Sequence, residues 1–287
     1  MKWYFKLLKY HFLLKEAFTI NNFLGYKSIK SDLKDLNLKF KIAIIIIALL
    51  TLVLSFIDFN YFFNNSSSWF VISGAIANHT QVWKIVLLSL SGIASFTGII
   101  CIFLIAFGRL SNFFWGTINV IIYGLFAFAW GYIGAAQLNI FFFLPFQIIG
   151  WYHWQKRIGA GETEVKIREW RWYYVLVGAI IIGIIISVIF YFEIPWLSKL
   201  ITGQYDYDNQ LAPHLLDTLN TGLSIIAMLL MIGGLREQWI FWIFVNLTQI
   251  IMYSGITGFI NINMIILWTI NLINAVVGLL RWYKVIL

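Results

Sequence analysis

Apolar runs separated by short polar interruptions cover most of the chain. Runs of 16 or more residues without a charged side chain recur from Ile42 onward. A helix that crosses roughly 30 Å of hydrocarbon needs about 20 residues. The pattern therefore predicts an all-α polytopic membrane protein with eight transmembrane helices. Their expected ranges are 41–63, 85–107, 113–133, 138–154, 173–192, 213–233, 239–257 and 261–282.

The seventh predicted helix carries polar and aromatic side chains on a single face. Trp239, Trp242, Asn246, Gln249 and Tyr253 follow one another at steps of 3, 4, 3 and 4 residues. That spacing places them on one side of an α-helix. A carboxamide without a partner is costly in hydrocarbon. We therefore expect this face to line a ligand path rather than contact lipid.

Polar side chains also lie in the middle of four other predicted helices. They are Asn119 and Tyr123 on the third helix, Gln147 on the fourth, Asn220 and Ser224 on the sixth, and Trp268, Asn271 and Asn274 on the eighth. For any one of them, a hydrogen bond between helices is the simpler explanation. We expect Gln147 and Asn271 to oppose Asn246 and Gln249 across a ligand.

Helices two to four resemble helices six to eight. At an offset of 127 residues, Arg109, Trp115 and Asn119 correspond to Arg236, Trp242 and Asn246, and at 128 residues Gly150–Trp154 corresponds to Gly278–Trp282. Both copies would run in the same direction, with helix five as an inverting linker and helix one as an extra. Transporters with parallel repeats bind substrate near the midplane between the halves. Chance similarity is the alternative, because few positions are identical.

Composition and charge distribution fit a membrane protein with a defined orientation. The chain is 61% apolar and 11% charged, which leaves no room for a soluble catalytic domain. With an even number of spans, 18 of the 20 basic residues lie on one side of the membrane, and only Lys84 and Lys199 lie on the other. The positive-inside rule then puts both termini in the cytoplasm.

The N-terminal segment is strongly basic. Residues 1–20 predict an amphipathic helix on the anionic inner leaflet, and a solvated basic tail is the alternative. The first apolar run begins only after about 40 residues, so we expect no cleavable signal.

The sequence offers little for catalysis. Cys101 lies within an apolar run, and there is no HExxH or GxSxG motif. The four histidines lie in tails, loops or helix ends: His11, His79, His153 and His214. We therefore expect no enzyme, no metal and no cofactor. A receptor or assembly scaffold remains an alternative to a transporter.

Ionisable residues are missing from the middle of the predicted helices. Asp58 and Asp217 are placed at the outer ends of their helices. Carriers coupled to protons or ions usually need such groups near the midplane. The sequence therefore favours a uniporter that rejects phosphorylated compounds.

Three stretches resemble the PnuC family of nicotinamide riboside transporters, which are relatives of the SWEET sugar transporters. They are WGTINVIIYG (115–124), LPFQIIGWYHW (144–154) and REQWIFWIFVN (236–246). The last resembles the W-x-x-W element of the family, here Trp239 and Trp242. The resemblance covers roughly residues 85–284. It implies two three-helix bundles joined by a linker helix, a homotrimer, and a place in the bacterial inner membrane.

The resemblance implies uptake of nicotinamide riboside by facilitated diffusion, with trapping inside by phosphorylation. Thiamine, riboflavin or a deoxynucleoside are the alternative substrates. A Trp ring can stack on a pyridinium, and carboxamides can pair with an amide or with ribose hydroxyls. The expected substrate-binding residues are Trp239, Trp242, Asn246, Gln249, Tyr253, Asn119, Gln147, Trp268, Asn271 and Asn274. For Trp239, interfacial anchoring is the alternative.

Pro145 interrupts the hydrogen-bond ladder of helix four. The PFQ sequence resembles the proline–glutamine element of the SWEET relatives, which implies a gating hinge, and a static kink is the alternative. The expected organisation is a basic N-terminus, an extra helix, a first bundle, a linking region and a second bundle. Their ranges are 1–40, 41–63, 85–154, 155–212 and 213–284.

Overall fold

We describe the protein from a computed structural model of the chain. The structure describes residues 22–34, 36–59, 61–64, 68–129, 133–158, 164–168, 172–203, 211–256, 260 and 262–285. The predicted amphipathic helix at residues 1–20 lies outside these described residues.

Eight long helices, numbered α1 to α8, follow one another in the described part of the chain. Their bounds are Leu38–Leu54, Val82–Ala106, Asn112–Ala129, Ile133–Gln155, Trp172–Thr202, Leu211–Gly233, Gln238–Tyr253 and Ile262–Trp282. Shorter helical segments are Phe23–Ser28, Ile29–Lys34, Tyr61–Asn64 and Val71–Ala77. We call α2–α4 the first half and α6–α8 the second half.

Six of these helices are long and apolar enough to cross a membrane: α2, α3, α4, α5, α6 and α8. The remaining two are shorter, with 17 residues in α1 and 16 in α7. At 1.5 Å per residue, α7 is about 24 Å long. Length and composition therefore support a polytopic membrane protein with six such helices, and the spans of α1 and α7 need a separate argument.

Two predicted helix ends differ from the structure by nine and ten residues, and the fourth helix begins at Ile133 rather than at 138. The first helix ends at Leu54 rather than 63, because Asn263 of α8 donates its side-chain amide to the Leu54 carbonyl at 3.0 Å. The fifth continues past 192 and through Pro195 to Thr202. In this continuation Glu193 is partly buried and accepts a 2.8 Å hydrogen bond from Gln137, which compensates for part of the lost hydration of its charge.

Helix α4 is irregular ahead of its proline. Residues Leu138–Phe143 form wide π-helical turns, and Pro145 lies at the start of the regular segment Leu144–Gln155. A proline has no N–H to donate, and π turns accommodate such an interruption. The structure therefore shows the predicted interruption of the backbone hydrogen-bond ladder of α4 at this point.

Equivalent packing contacts recur in the two halves. A Cβ added at Gly150 would lie 2.5 Å from the Phe113 ring, and one at Gly278 would lie 2.5 Å from the Trp239 ring. Gly108 and Gly234 both turn the chain with positive φ, at 63° and 65°.

These contacts shift the offset that the sequence indicates. Along α3 and α7 the equivalent positions lie 126 residues apart, as Gly108 and Gly234 do, whereas the offset of 127 pairs Trp115 with Trp242. Gly150 and Gly278 keep the predicted offset of 128. The offset therefore changes by two residues, from 126 to 128, between α3 and α4, whereas the sequence identities indicate a change of one residue there.

Both turns are joined by a short strap, residues 164–168, between α4 and α5. Val165 donates its N–H to the Gly108 carbonyl at 2.9 Å, and Arg168 donates its N–H to the Gly234 carbonyl at 2.8 Å. Glu164 lies 3.0 Å from Arg109 and 3.3 Å from Arg281. These contacts place the two turns, the α4–α5 loop and the end of α8 together. We call this the basic end.

The basic end is also where the N-terminal segment docks. Asp32 is only 1% exposed and accepts a 2.9 Å hydrogen bond from the N–H of Ser111. It therefore caps the start of α3, where the helix dipole favours a negative charge. Arg157 donates to the carbonyl of Ile232 at 3.1 Å. Burial and the nearby Arg168 both lower the pKa of Arg157.

Candidate functional site

A cavity of about 1250 Å³ lies between the two halves. Its walls come from α2, α3, α4, α6, α7 and α8, together with the end of α1 and the chain that follows it. All ten predicted substrate-binding residues line it: Asn119, Gln147, Trp239, Trp242, Asn246, Gln249, Tyr253, Trp268, Asn271 and Asn274. Pro145 is not among the lining residues.

Helix α7 separates a cavity face from an outer face. Trp239, Asn246 and Gln249 are buried on the cavity side. Phe244 and Leu247, on the other side, are 53% and 39% exposed. The polar and aromatic face thus lies where its 3,4 spacing places it, and the apolar face is left for lipid.

Some of the carboxamides already hold helices together. The Asn119 side chain donates to the carbonyl of Ala94 at 2.8 Å, which joins α3 to α2. The Asn274 side chain donates to the carbonyl of Ile102 at 3.1 Å, which joins α8 to α2. The side-chain N–H groups of Asn119 and Asn274 therefore form hydrogen bonds between helices.

Other polar atoms on the cavity walls have no hydrogen-bond partner among the residues that the structure describes. These buried atoms are Oε1 of Gln147, Oε1 of Gln249, Oδ1 of Asn274, Nε1 of Trp239 and Nε1 of Trp268. A buried acceptor or donor without a partner costs about 1–3 kcal/mol. A bound solute with hydroxyl or amide groups would satisfy them, so the walls suit a polar, ring-containing ligand.

The two walls differ at one pair of equivalent positions. At the offset of 126, Gly116 on α3 corresponds to Trp242 on α7. A Cβ at Gly116 would lie 2.9 Å from both amide atoms of Gln147. At the offset of 128, Gln147 corresponds to Ala275 on α8. At these positions the first half therefore has the carboxamide of Gln147 and a glycine, Gly116, whereas the second half has an alanine, Ala275, and the indole of Trp242.

Trp115 has a different role from the one that the sequence offset indicates. It does not line the cavity. Its ring packs edge-on against Phe96, with 6.4 Å between centroids. The tryptophans that line the cavity, Trp239, Trp242 and Trp268, therefore all come from the second half, whereas the first half contributes Tyr123, Phe126 and Phe143.

The sequence placed Asp58 and Asp217 at outer helix ends and gave them no role in the site, but both line the cavity. Asp217 shares a face of α6 with Asn220, Thr221 and Ser224, which also line it. This 3,4,7 spacing is a helical signal that could have identified Asp217. Asp58 follows the end of α1, where no helical period applies, and the sequence alone carries no such signal for it.

Aromatic side chains fill the space between the two halves at the basic end. Trp151 and Trp154 are fully buried there. Trp154 of the first half donates its indole N–H to the carbonyl of Met231 at 2.9 Å. Trp282 of the second half donates to the carbonyl of Ala106 at 3.1 Å. Each half therefore caps a helix end of the other.

The described residues offer no metal centre, since no group of three or more His, Cys, Asp or Glu side chains among them could hold an ion. Lys, Arg and His are also absent from the described lining residues. The polar part of the described site is thus built from carboxamides, hydroxyls and two carboxylates, set among aromatic and aliphatic side chains.

Comparison with known proteins identifies the family. The family model described as Nicotinamide mononucleotide transporter matches residues 88–284. The nicotinamide riboside transporter PnuC of Neisseria mucosa is 30% identical over 209 residues, which span 69% of this chain and 73% of that relative. This chain belongs to the PnuC family. The PnuC family consists of transporters, not enzymes.

Further relatives agree with this assignment. The nicotinamide riboside transporter PnuC of Escherichia coli is 28% identical over 178 residues, covering 58% of this chain and 74% of the relative. PnuC of Haemophilus influenzae is 25% identical over 218 residues, covering 72% and 85%. The crystal structure of the vitamin B3 transporter PnuC aligns with a TM-score of 0.56 at 25% identity, covering 84% of this chain and 91% of that one. The named relatives are bacterial membrane transporters.

Proposed function

We propose that this PnuC-family protein transports nicotinamide riboside by facilitated diffusion. The observation that carries the proposal is the cavity between the halves, which brings together all ten predicted residues. Its volume of about 1250 Å³ exceeds the usual range of roughly 300–1,000 Å³ for small-molecule sites, so a nucleoside has ample room. The names of the bacterial relatives supply the substrate.

The confinement of the lining tryptophans to the second half sets how the ligand would lie. Trp242 stacks on the pyridinium ring, where a cation–π contact contributes about 0.5–2 kcal/mol. Gln147, whose Oε1 has no partner within the described part of the chain, accepts a hydrogen bond from the substrate amide. Asn246 and Gln249 face the ribose hydroxyls.

Uniport rather than coupled transport is part of the proposal. The described cavity walls carry no Lys, Arg or His, which gives a phosphate no counter-charge. Phosphorylation inside the cell would therefore trap the substrate, because the phosphorylated product would not re-enter the cavity. The mononucleotide in the description of the family model is disfavoured for the same reason.

The topology is proposed to have eight spans, with both termini in the cytoplasm of a bacterial inner-membrane protein. Charge supports it, since Arg109, Arg157, Arg168 and Arg281 lie together at the basic end and the positive-inside rule places that end inside. Helices α1 and α7 must then cross as well. Cysteine labelling in a Cys101→Ser background tests this arrangement, with Asn78→Cys reacting from outside and Lys156→Cys only after permeabilisation.

Three finer points are proposed with it. The ranges 85–154 and 213–284 act as two bundles that move about the linking region 155–212. Pro145, next to the π turns at Leu138–Phe143, acts as the hinge of this motion. The chain assembles as a homotrimer, which sedimentation of the purified protein in detergent measures directly.

The decisive test is counterflow of labelled nicotinamide riboside in proteoliposomes. Exchange should proceed without Na⁺, a proton gradient or a membrane potential. Accumulation of unmodified substrate driven by an imposed gradient would refute uniport. A receptor or scaffold would give binding without counterflow, and competition by unlabelled thiamine, riboflavin or a deoxynucleoside would reveal a different substrate.

A further inference from the structure

The charge on the cavity walls has a single sign. Among the described lining residues, Asp58 and Asp217 carry carboxylates and none carries a basic side chain. They reach the cavity from different elements, Asp217 from α6 and Asp58 from the chain after α1. A cavity with low-dielectric walls and charge of one sign focuses its field on the space inside.

Both carboxylates stand on fixed backbone. Asp217 packs over α4, where a Cβ added at Gly134 would lie 3.0 Å from Oδ2 of Asp217. The Asp58 N–H donates to the Trp69 carbonyl at 2.8 Å. The turns beside Asp58 are tied to Asn263 of α8, which donates to the carbonyls of Leu54 and Ile57. The negative charge therefore belongs to the architecture of the cavity.

We infer that Asp58 and Asp217 are specificity-determining residues that select a positively charged substrate over a neutral one of the same shape. The inference rests on the proposed function, in that the substrate must occupy this cavity. The pyridinium ring of nicotinamide riboside carries one positive charge, and both carboxylates attract it. A phosphate or an added carboxylate on the ligand is repelled by the same field.

This selection adds to that of the rings. A cation over Trp242 also gains from the ring quadrupole, so preference for a cation does not by itself identify the carboxylates. The Coulomb contribution of a carboxylate depends on ionic strength, since charges more than about 10 Å apart are screened at 0.1 M salt. Salt dependence and neutralising substitutions therefore separate the two effects.

The experiment compares two ligands of nearly the same shape. Nicotinamide riboside is a cation, whereas its 1,4-dihydro form keeps the ribose and the carboxamide but is neutral. Affinities are measured by titration calorimetry on wild type, Asp58→Asn, Asp217→Asn and the control Glu193→Gln. Glu193 is an acidic residue that pairs with Gln137 at 2.8 Å and does not line the cavity.

Each Asp→Asn variant should weaken binding of the cation about threefold to tenfold at low salt. Binding of the neutral form should change by less than about twofold, because it has no net charge for the carboxylate to attract. The loss should shrink as NaCl is raised, and Glu193→Gln should match wild type for both ligands. Retained binding of the neutral form also reports that the variants are folded.

An unchanged ratio of cation to neutral affinity in both variants would overturn the inference while leaving the proposed function intact. Equal loss of both ligands would overturn it too, since it would show a structural role. If wild type bound neither ligand, the proposed function itself would fail, and the inference with it.

Discussion

Removing the ring of Trp242 is the sharpest test of the candidate site. This side chain lines the cavity and is half-buried. It also packs against the core cluster that contains Trp151 and Trp154, so truncation to alanine removes a stacking surface and the fold of the variant has to be checked. Stacking of a base on an aromatic side chain is worth about 1–3 kcal/mol. Trp242→Ala should therefore weaken substrate binding by roughly 5- to 150-fold.

The carboxamide of Asn246 gives an independent measure on the same helix. It is 4% exposed and lines the cavity one turn from Trp242. Asn246→Leu keeps the volume and is acceptable in an apolar setting, but it removes the hydrogen bonds to the ligand. A hydrogen bond lost in this way costs about 0.5–1.5 kcal/mol, which is roughly a 2- to 13-fold loss of affinity.

The control must lie on the same helix and leave the cavity untouched. Ile243 is a poor choice, because it packs against the core cluster around Trp151 and Trp154. Leu247 is exposed on the outer face of α7, so Leu247→Ala should leave affinity unchanged.

The assay is titration with nicotinamide riboside after each variant is shown to be monodisperse. Should Leu247→Ala weaken binding as much as Trp242→Ala does, the α7 face acts only in packing. The site would then have to be sought on α3, α4 and α8.

Three further predictions concern packing and access. Gly278→Ala should lower the free energy of unfolding by about 1–3 kcal/mol, because its Cβ would lie 2.5 Å from the Trp239 ring. The control Gly178→Ala, whose Cβ would meet nothing within 4 Å, should be neutral or slightly stabilising. Equal melting temperatures of the two variants would contradict this. Trp154→Phe leaves the buried Met231 carbonyl without its donor and should cost about 1–3 kcal/mol in unfolding, and an unchanged melting curve would show that the bond is dispensable. Cys101 is the single cysteine of the chain and lines the cavity, so substrate should slow its alkylation, as measured by mass spectrometry; protection by an unrelated vitamin alone would point to another substrate.

Most of the helices are predictable because their apolar runs are local. The ends are less so. Helix α1 ends at Leu54, where Asn263, about 200 residues away in the chain, donates hydrogen bonds to the carbonyls of Leu54 and of Ile57 just beyond it. No local sequence signal marks that cap. Helix α5 passes through Pro195, where the usual association of proline with a helix end misleads.

The cavity face of α7 is predictable for a related reason. Its polar residues repeat at helical spacing, and lipid tolerates few such residues on an exposed face. Which residues of the two halves correspond is harder to infer, because the identical pair Trp115 and Trp242 aligns at an offset of 127. Packing against Gly150 and Gly278 pairs Phe113 with Trp239 at an offset of 126 instead, which pairs Gly116 with Trp242.

The exchanged bonds at the basic end have a consequence for how the two halves associate. Trp154 donates into the second half and Trp282 donates into the first. In a dimer of two identical halves this would be one contact made twice across a two-fold axis, the isologous arrangement. Such an interface holds its own register, so the covalent connection through α5 is not what aligns the halves. A single chain, unlike such a dimer, is free to let its two copies diverge, and the pair of Gly116 and Trp242 shows that divergence inside the cavity. In the proposed function, two similar halves would thereby hold a ligand that has no two-fold symmetry.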